Sequence, residues 1–370
     1  MTRETMALLT ATLGLTLSAA LLADDIHHTR EVIADDLEHP WSLAFLPDGR
    51  KLVTERVGRL RVIDDGRLLD EPVAGLPDVY VRNQGGLFEV APHPDWEVTG
   101  WIYLTFAHGT DRANTLRVIR GRLEDHRLED VEIIFTAEPE RDTPVHFGGR
   151  LLFLPDDTLL ITLGDGFDYR ERAQKLDSHI GTIARVMRDG EVPADNPFVN
   201  APDALPEIFS YGHRNVQGVV RDPDTGLLWA LDHGPRGGDE LNILSPGSNH
   251  GWPVATHGVD YSGARITPHQ TLPDMEDPIH VWTPAIAPAG MAQYRGDAFP
   301  ELQGDLLIAG LVARSVIRVR LDGTAVAGTS RLFEDLDRRM RDVRVGPDGA
   351  LYLLTDHADG ELIRITPAAD

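Results

Sequence analysis

The chain has 370 residues, 42% of them hydrophobic, which is ample for a large core, and its 35 glycines and 25 prolines suit many turns rather than long helices. Acidic residues outnumber basic ones 59 to 35, a net charge of −24 at pH 7, which argues against nucleic acid or an anionic membrane surface as partner. With no cysteine, disulfides, thiolate metal sites, iron–sulfur clusters and a thiol nucleophile are excluded.

Residues 1–23 place Arg3 ahead of an apolar stretch from Met6 to Leu22, then Ala23 before two aspartates. This pattern predicts a secretory signal cleaved near Ala20 or Ala23, and so a periplasmic or secreted protein. The run is short and broken by Thr, Gly and Ser, and no later stretch is long enough to span a bilayer, so stable membrane insertion is not expected. His27 and His28, near the mature N-terminus, read as disordered and non-functional.

From there the chain repeats one unit: an apolar strand, a turn and a second strand. It occurs in WSLAFLPDGRKLVTE (41–55), LFEVAPHPDWEVTGWIYLTF (87–106), RLLFLPDDTLLITLGD (150–165), GVVRDPDTGLLWALDHG (218–234), GMAQYRGDAFPELQGDLLIAG (290–310) and DVRVGPDGALYLLTD (342–356). Proline presets φ at the first central turn position, aspartate tolerates the second, and glycine supplies the conformation after it. Short third strands such as GRLRVID (58–64) and RSVIRVRL (314–321) come after several units. Segment 173–190 has apolar residues at helical spacing, but reads as a loop and then a strand. Six such units predict an all-β chain: a six-bladed β-propeller of four-stranded antiparallel blades, one domain over residues 24–370.

No Gly-x-Gly-x-x-Gly opens a βαβ unit, and neither His-Glu-x-x-His nor Gly-x-Ser-x-Gly occurs. Polar residues gather instead where strands end and loops begin. In YVRNQGGLFEV (80–90), Asn83 and Gln84 precede two glycines, where backbone can approach a ligand and an amide can read a carboxylate; the residues also suit a plain hairpin turn. In PVHFGGR (144–150), His146 precedes a second glycine pair; it is a general base or a packed strand-end histidine. FSYGHRNVQG (209–218) crowds Tyr211, His213, Arg214, Asn215 and Gln217 into one loop, and the fork of Arg214 suits a carboxylate or a developing oxyanion. LDHGPRGGDELNILSPGSNHGWP (231–253) offers Asp239, Glu240 and loop carbonyls, either for a hard cation or as a polar turn. DLDRRMRDVRVGPDG (335–349) brings Arg338, Arg339 and Arg341 to the start of a strand, as an anion site or as a solvated face paired with Asp335, Asp337 and Asp342.

Eight segments in order resemble the soluble PQQ-dependent aldose sugar dehydrogenases, a family that includes soluble glucose dehydrogenase. They are HPWSLAFLPDGRKLVTER, RNQGGLFEVAPHPDW, HFGGRLLFLPDDTLLITLGDG, PADNPF, PEIFSYGHRNVQG, DHGPRGGDELNIL, NHGWP and APAGM, and the likeness runs from about His39 to the end. The resemblance implies the same six-bladed propeller, PQQ and Ca²⁺ as cofactors, and oxidation of an aldose at C1 to the lactone, with electrons passed to an external acceptor. It makes His146 the general base on the C1 hydroxyl, with hydride passing to C5 of PQQ, and Arg214 the stabiliser of negative charge on the quinone oxygens. Gln84, Asn215, Arg339 and Arg341 match cofactor contacts, the last two meeting its carboxylates. Tyr261, Trp282 and the turn Leu311, Val312, Ala313 are expected to line the same pocket. Carbonyls at Gly234 and Pro235 match a calcium held against the cofactor; Glu240 and the backbone at His250 match a structural calcium.

There are departures from the family pattern. Val145 stands where the glucose dehydrogenases carry an aspartate, His233 replaces a glutamine in the calcium loop, and a lysine near PQQ is replaced around Ala313 and Arg314. The insertions that build the glucose dehydrogenase dimer are missing, so a monomer is favoured over a dimer. Two other functions stay open on the residues: a non-catalytic propeller binding a sugar or protein partner, and a calcium-dependent lactonase-type propeller. The latter needs several carboxylates around a central metal, where only Glu240 stands out.

Overall fold

Each strand–turn–strand unit forms a hairpin in the structure, a computed structural model that describes residues 22–23 and 26–368. The leader expected over residues 1–23 falls, apart from Leu22 and Ala23, outside these residues. In the Pro47-Asp48-Gly49 turn, the Leu46 N–H donates to the Arg50 carbonyl at 2.8 Å and the Gly49 N–H returns to Leu46 at 3.0 Å. Gly49 sits at φ +94°, a region closed to most side chains. The Pro347-Asp348-Gly349 turn repeats these bonds, and at 154–158 Asp157 takes the glycine's place at φ +67°.

The hairpins grow into six four-stranded antiparallel sheets. The first five run Pro40–Phe45 to Arg67–Leu68, Leu87–Pro92 to Arg127–Thr136, Gly148–Phe153 to Ile208–Tyr211, Val216–Arg221 to His280–Trp282, and Pro288–Gln293 to Ala325–Leu332. Leu22–Ala23 adds a two-residue edge to the fifth. The sixth takes Met340–Val345, Leu351–Thr355 and Gly360–Pro367, and its outer strand is His28–Leu37 from the opposite end of the described chain. The sheets are the blades of a six-bladed propeller, closed into a ring by that N-terminal strand. The expectation that His28 is disordered is therefore corrected: it starts a ten-residue strand, fixed by the ladder it makes with Gly360–Pro367. Segment 173–190 starts in the last two residues of a short 3-10 helix, Arg170–Gln174, and goes on as a loop followed by the strand Thr182–Met187, which is the loop and strand the sequence predicts.

Six clusters of buried apolar residues hold the ring, one between each pair of neighbouring blades. The innermost strands carry polar residues into the central channel. Arg150 donates to Glu89 at 2.9 Å, to Asp342 at 3.3 Å and to the Gln217 carbonyl at 2.8 Å, and its guanidinium lies 4.0 Å over the Trp41 ring. Four innermost strands thus meet at one buried charge network. Each of the six innermost strands also has a register irregularity within its first residues, between Pro40 and Ser42, Leu87 and Val90, Gly148 and Leu151, Val216 and Gly218, Pro288 and Met291, and Met340 and Asp342. Such bulges re-aim side chains. All six lie at the same end of the channel, above the Arg150 network.

Candidate active site

At that end a cavity of about 370 Å³ opens between the starts of the innermost strands. Gln84, His146, Asn215, Tyr261, Leu311, Val312, Arg339 and Arg341 line it, so most of the pocket residues expected from the sequence come together. Arg214 lines an adjoining cavity of about 280 Å³ on the other side of Tyr261. Trp282 does not reach either cavity: it is buried in the cluster between the fourth and fifth blades, edge-on to His280. Ala313 packs against the same cluster.

His146 lies in the loop before Gly148–Phe153, in the left-handed region at φ +52°. The pose is held from three sides. Its N–H donates to Gln84 Oε1 at 2.9 Å, its carbonyl accepts from Arg141 Nη1 at 2.9 Å, and its Nδ1 is 2.7 Å from Asp165 Oδ1. Asp165 Oδ1 also accepts the Phe167 N–H at 2.7 Å, and Oδ2 accepts the Trp252 indole N–H at 2.8 Å. Both oxygens of Asp165 therefore act as acceptors, which requires a carboxylate and puts the imidazole proton on Nδ1. Nε2 is left as the basic nitrogen, with no hydrogen-bond partner among the described residues. Burial, helped by Arg214 and His233, holds His146 below the usual imidazole range against the pull of Asp165, so the ring is neutral at pH 7. Burial works against ionisation of Asp165, but His146, Arg214 and the Phe167 N–H outweigh it and keep its pKa below the usual carboxylate range.

The far end of the cavity is positive. Arg339 and Arg341 share one carboxylate, Asp356, at 3.0 and 3.2 Å, and Arg56 lies beside them. Nε of Arg341 is buried with no hydrogen-bond partner among the described residues, and burial lowers its pKa. An anionic ligand, carboxylates above all, would satisfy this excess of donors. Trp41, Phe88, Leu311 and Val312 add apolar surface between the two ends.

The two cation positions expected from the resemblance differ. The Gly234 carbonyl accepts from Arg214 Nη1 at 2.9 Å and from His233 Nδ1 at 3.0 Å, so both its lone pairs are used. Both oxygens of Asp239 accept backbone N–H groups, from Gly234, Ile286 and Ala287. Pro235 faces the adjoining cavity, and no cation fits at the Gly234 carbonyl in this arrangement. Glu240 and His250 line one small internal cavity. Burial, with Asp232, Asp239 and Asp277 nearby, pushes the Glu240 carboxyl up to about 8, and the His250 carbonyl accepts no backbone hydrogen bond among the described residues. A buried carboxyl in acidic surroundings and a free carbonyl suit Ca²⁺. Among the described residues no three His, Asp or Glu side chains group as metal ligands.

The sequence reading missed Asp165, although an acidic residue ends the second strand in several repeats. Asp232 accepts the N–H groups of Arg214 and Asn215 at 2.9 and 2.6 Å, Asp356 takes Arg339 and Arg341, and Glu55 takes the Glu38 N–H at 2.7 Å. In each case that residue braces the loop entering its own blade, and Asp165 does so for His146.

A sequence model of the glucose/sorbosone dehydrogenase family matches residues 37–364. The chain belongs to this family. It is 42% identical to aldose sugar dehydrogenase YliI of Escherichia coli over 357 residues, covering 95% of this chain and 96% of the relative. It is 26% identical to quinoprotein glucose dehydrogenase B of Acinetobacter calcoaceticus over 437 residues, covering 94% and 89%. Among solved structures, the apo form of the soluble aldose sugar dehydrogenase of Escherichia coli matches with a TM-score of 0.89 at 41% identity, covering 92% of this chain and 100% of that one. The PQQ-bound aldose sugar dehydrogenase of Streptomyces coelicolor matches with a TM-score of 0.75 at 28% identity, covering 94% and 99%. The two solved structures share the propeller fold of this chain.

Proposed function

We propose that the chain oxidises aldose sugars at C1 to the lactone, with PQQ as electron acceptor and His146 as general base. The observation that carries this reading is the Asp165–His146 pair, a neutral imidazole with its free nitrogen at a cavity whose far end is cationic. PQQ is a planar tricarboxylate, and the residues fit it: Arg339, Arg341 and Arg56 offer donors to its carboxylates, and Trp41, Leu311 and Val312 offer apolar surface. When bound, it supplies the two-electron acceptor that this chain's side chains lack.

The chain's own residues then have defined tasks. Oxidation removes the C1 hydrogen with its electron pair and the hydroxyl proton. His146 Nε2 takes the proton, and Asp165 stabilises the imidazolium that forms. Gln84 fixes the backbone of His146 through its amide oxygen. Arg214, held by the His233 and Gly234 carbonyls at 2.6 and 2.9 Å, contributes positive charge near the imidazole, which keeps it neutral until the proton arrives. Calcium belongs in this reading at Glu240 and the His250 carbonyl, as a structural ion. The leader pattern supports a periplasmic or secreted location, and no helix among the described residues is long and apolar enough to cross a membrane.

The test is reconstitution. Purified apoprotein receives PQQ and Ca²⁺, and dye reduction is followed with glucose, galactose, xylose and maltose. Oxidation of at least one aldose is expected, and His146→Ala is expected to bind PQQ but lose turnover by about 10²-fold or more. Absence of both PQQ binding and aldose oxidation refutes the reading. Loss of PQQ binding together with turnover in His146→Ala would make the histidine structural.

A further inference from the structure

We propose that Arg141, buried behind the His146 loop, is a positioning residue for the proton transfer: by holding the His146 carbonyl it sets where the imidazole points. This rests on the reading of His146 as the base of C1 oxidation. Arg141 lines neither the first cavity nor the one beside it, so it acts on the reaction through other residues.

Arg141 is a costly residue for the place it occupies. It is 6% exposed, and no carboxylate among the described residues makes an ion pair with it. Burial pulls its pKa down to about 10 against the opposing pull of Asp165 and Tyr169, so the guanidinium is still charged at pH 7. A buried charge without a counter-ion carries a desolvation cost that packing alone does not offset. Two contacts work against that cost. Nη1 donates to the His146 carbonyl at 2.9 Å, and the guanidinium lies 4.4 Å over the Phe147 ring. Both partners belong to the base and the residue after it.

His146 is held in the left-handed region at φ +52°, which a residue other than glycine keeps only where its surroundings over-determine it. The carbonyl is the handle on that conformation. Turning the 146–147 peptide would release Arg141 and swing the imidazole away from Asp165. Arg141 is itself anchored to another blade. Its N–H donates to the Asn114 carbonyl at 2.9 Å and its carbonyl accepts the Asn114 N–H at 2.7 Å. Asn114 belongs to the strand Ala113–Glu124 of the second blade, whereas His146 leads into the third. The Asp165 loop closes over the guanidinium from the other side. A Cβ on Gly166 would stand 2.6 Å from Nη1, so only glycine leaves the guanidinium its place. The Tyr169 hydroxyl donates to Asp142 at 2.8 Å and ties the same two loops together. Arg141 thus fills the space between the loop that carries the base and the loop that carries its carboxylate, and registers both against the second blade.

The test uses the full chain. Arg141→Met keeps the bulk and removes the donor, and Arg141→Lys keeps a charged donor of similar reach. Three quantities are measured: PQQ affinity by fluorescence titration, kcat and KM of aldose oxidation with PQQ saturating, and the His146 Nδ1–H resonance in proton NMR of the apoprotein, assigned by its absence in His146→Ala. Arg141→Met is expected to lower kcat about 10- to 100-fold with PQQ affinity and KM within about threefold of wild type, because a base misplaced by about 1 Å costs rate rather than binding. The Nδ1–H resonance is expected to broaden or vanish in that variant. Arg141→Lys is expected to turn over faster than Arg141→Met; a residue that only packs would give the reverse order, because methionine is the better neutral filler. Gly166→Ala leaves Arg141 in the chain and crowds Nη1 off the carbonyl, and the same fall in kcat with PQQ affinity kept is expected; it decides the matter if Arg141→Met does not fold. Wild-type turnover in the variant that decides, a loss of PQQ affinity matching the loss of kcat, or Arg141→Met faster than Arg141→Lys each overturns the proposal. If the wild type oxidises no aldose, the oxidation reading falls and the NMR decides on Arg141 alone: an Nδ1–H resonance unchanged by the substitution refutes its role.

Discussion

Replacing Asp165 with asparagine probes the site at one atom. The carboxylate accepts three buried donors: His146 Nδ1, the Phe167 N–H and the Trp252 indole. An amide has one acceptor end. If its oxygen stays toward His146 and Phe167, its NH₂ faces the indole N–H, and one buried hydrogen bond is lost, costing about 1–3 kcal/mol of stability. If it flips, its NH₂ faces His146 and moves the imidazole proton to Nε2, where the base must accept. Either way the imidazolium loses its counter-charge. Turnover is expected to fall about 10³-fold, between the loss of one positioned group and the loss of a full triad aspartate. The pH profile carries the sign. Activity needs the neutral ring, so kcat/KM rises with pH through the His146 pKa, and in the wild type that limb lies below about pH 6.5 because burial lowers the pKa. Asp165 raises the His146 pKa, so its removal moves the limb further to acid. The assay is dye reduction from pH 4.5 to 8.5 with PQQ saturating, alongside near-UV circular dichroism to confirm the fold. A variant within threefold of wild-type activity, or a limb displaced to alkaline pH, would refute the role given to Asp165.

The geometry sets three further outcomes. Arg341→Met removes one of the two guanidinium groups sharing Asp356, and PQQ affinity, read by fluorescence titration, should fall about 10- to 100-fold with secondary structure unchanged. Arg150→Met takes from Glu89 and Asp342 one of the two cations they share, while Arg344 stays bonded to both at 2.5 and 2.8 Å, so the urea midpoint should fall by the equivalent of about 1–3 kcal/mol at constant m. Addition of Ca²⁺ at pH 8 should raise the Tm of the wild type and leave that of Glu240→Gln unmoved, because the other carboxylate lining that cavity, Asp232, already accepts the Arg214 and Asn215 N–H groups, which leaves Glu240 as the anionic ligand beside the free His250 carbonyl.

The blades were legible because each repeat advertises itself locally as two apolar runs around a turn, a Pro-Asp turn in all but the copy at 290–310. His146, Arg339 and Arg341 were legible because they sit in short loops of distinctive composition. Asp165 was not, because nothing local pairs it with a residue nineteen positions away. The pairing comes from the hairpin: Gly148 stands opposite Leu163, so the two residues just beyond that pair face each other across the mouth of the blade. His146 and Asp165 are equidistant from the Pro155–Asp156 turn, and counting outward from the turn would have found the carboxylate. Trp282 failed for the opposite reason. An aromatic near a polar loop suits a pocket wall as well as a core, and only packing against His280 and the neighbouring blade decides. The close approach of Arg214 to the Gly234 carbonyl likewise depends on two loops from different turns of one blade and leaves no trace in spacing.

Closing the ring with His28–Leu37 sets a timetable for making the protein. Leu37 pairs with Gly360 and His28 with Pro367, so nearly the whole chain must be synthesised before the sixth blade has its fourth strand. At about 5–20 residues per second the early strand waits roughly 15–70 s with its edge unpaired. Over that interval five blades can form, but none can be locked into a circle, and the cavity above the channel has no far wall because Arg339 and Arg341 arrive with the last blade. The chain therefore lacks a complete cavity until synthesis is nearly finished, and no earlier intermediate offers both the His146 loop and the paired arginines to a ligand.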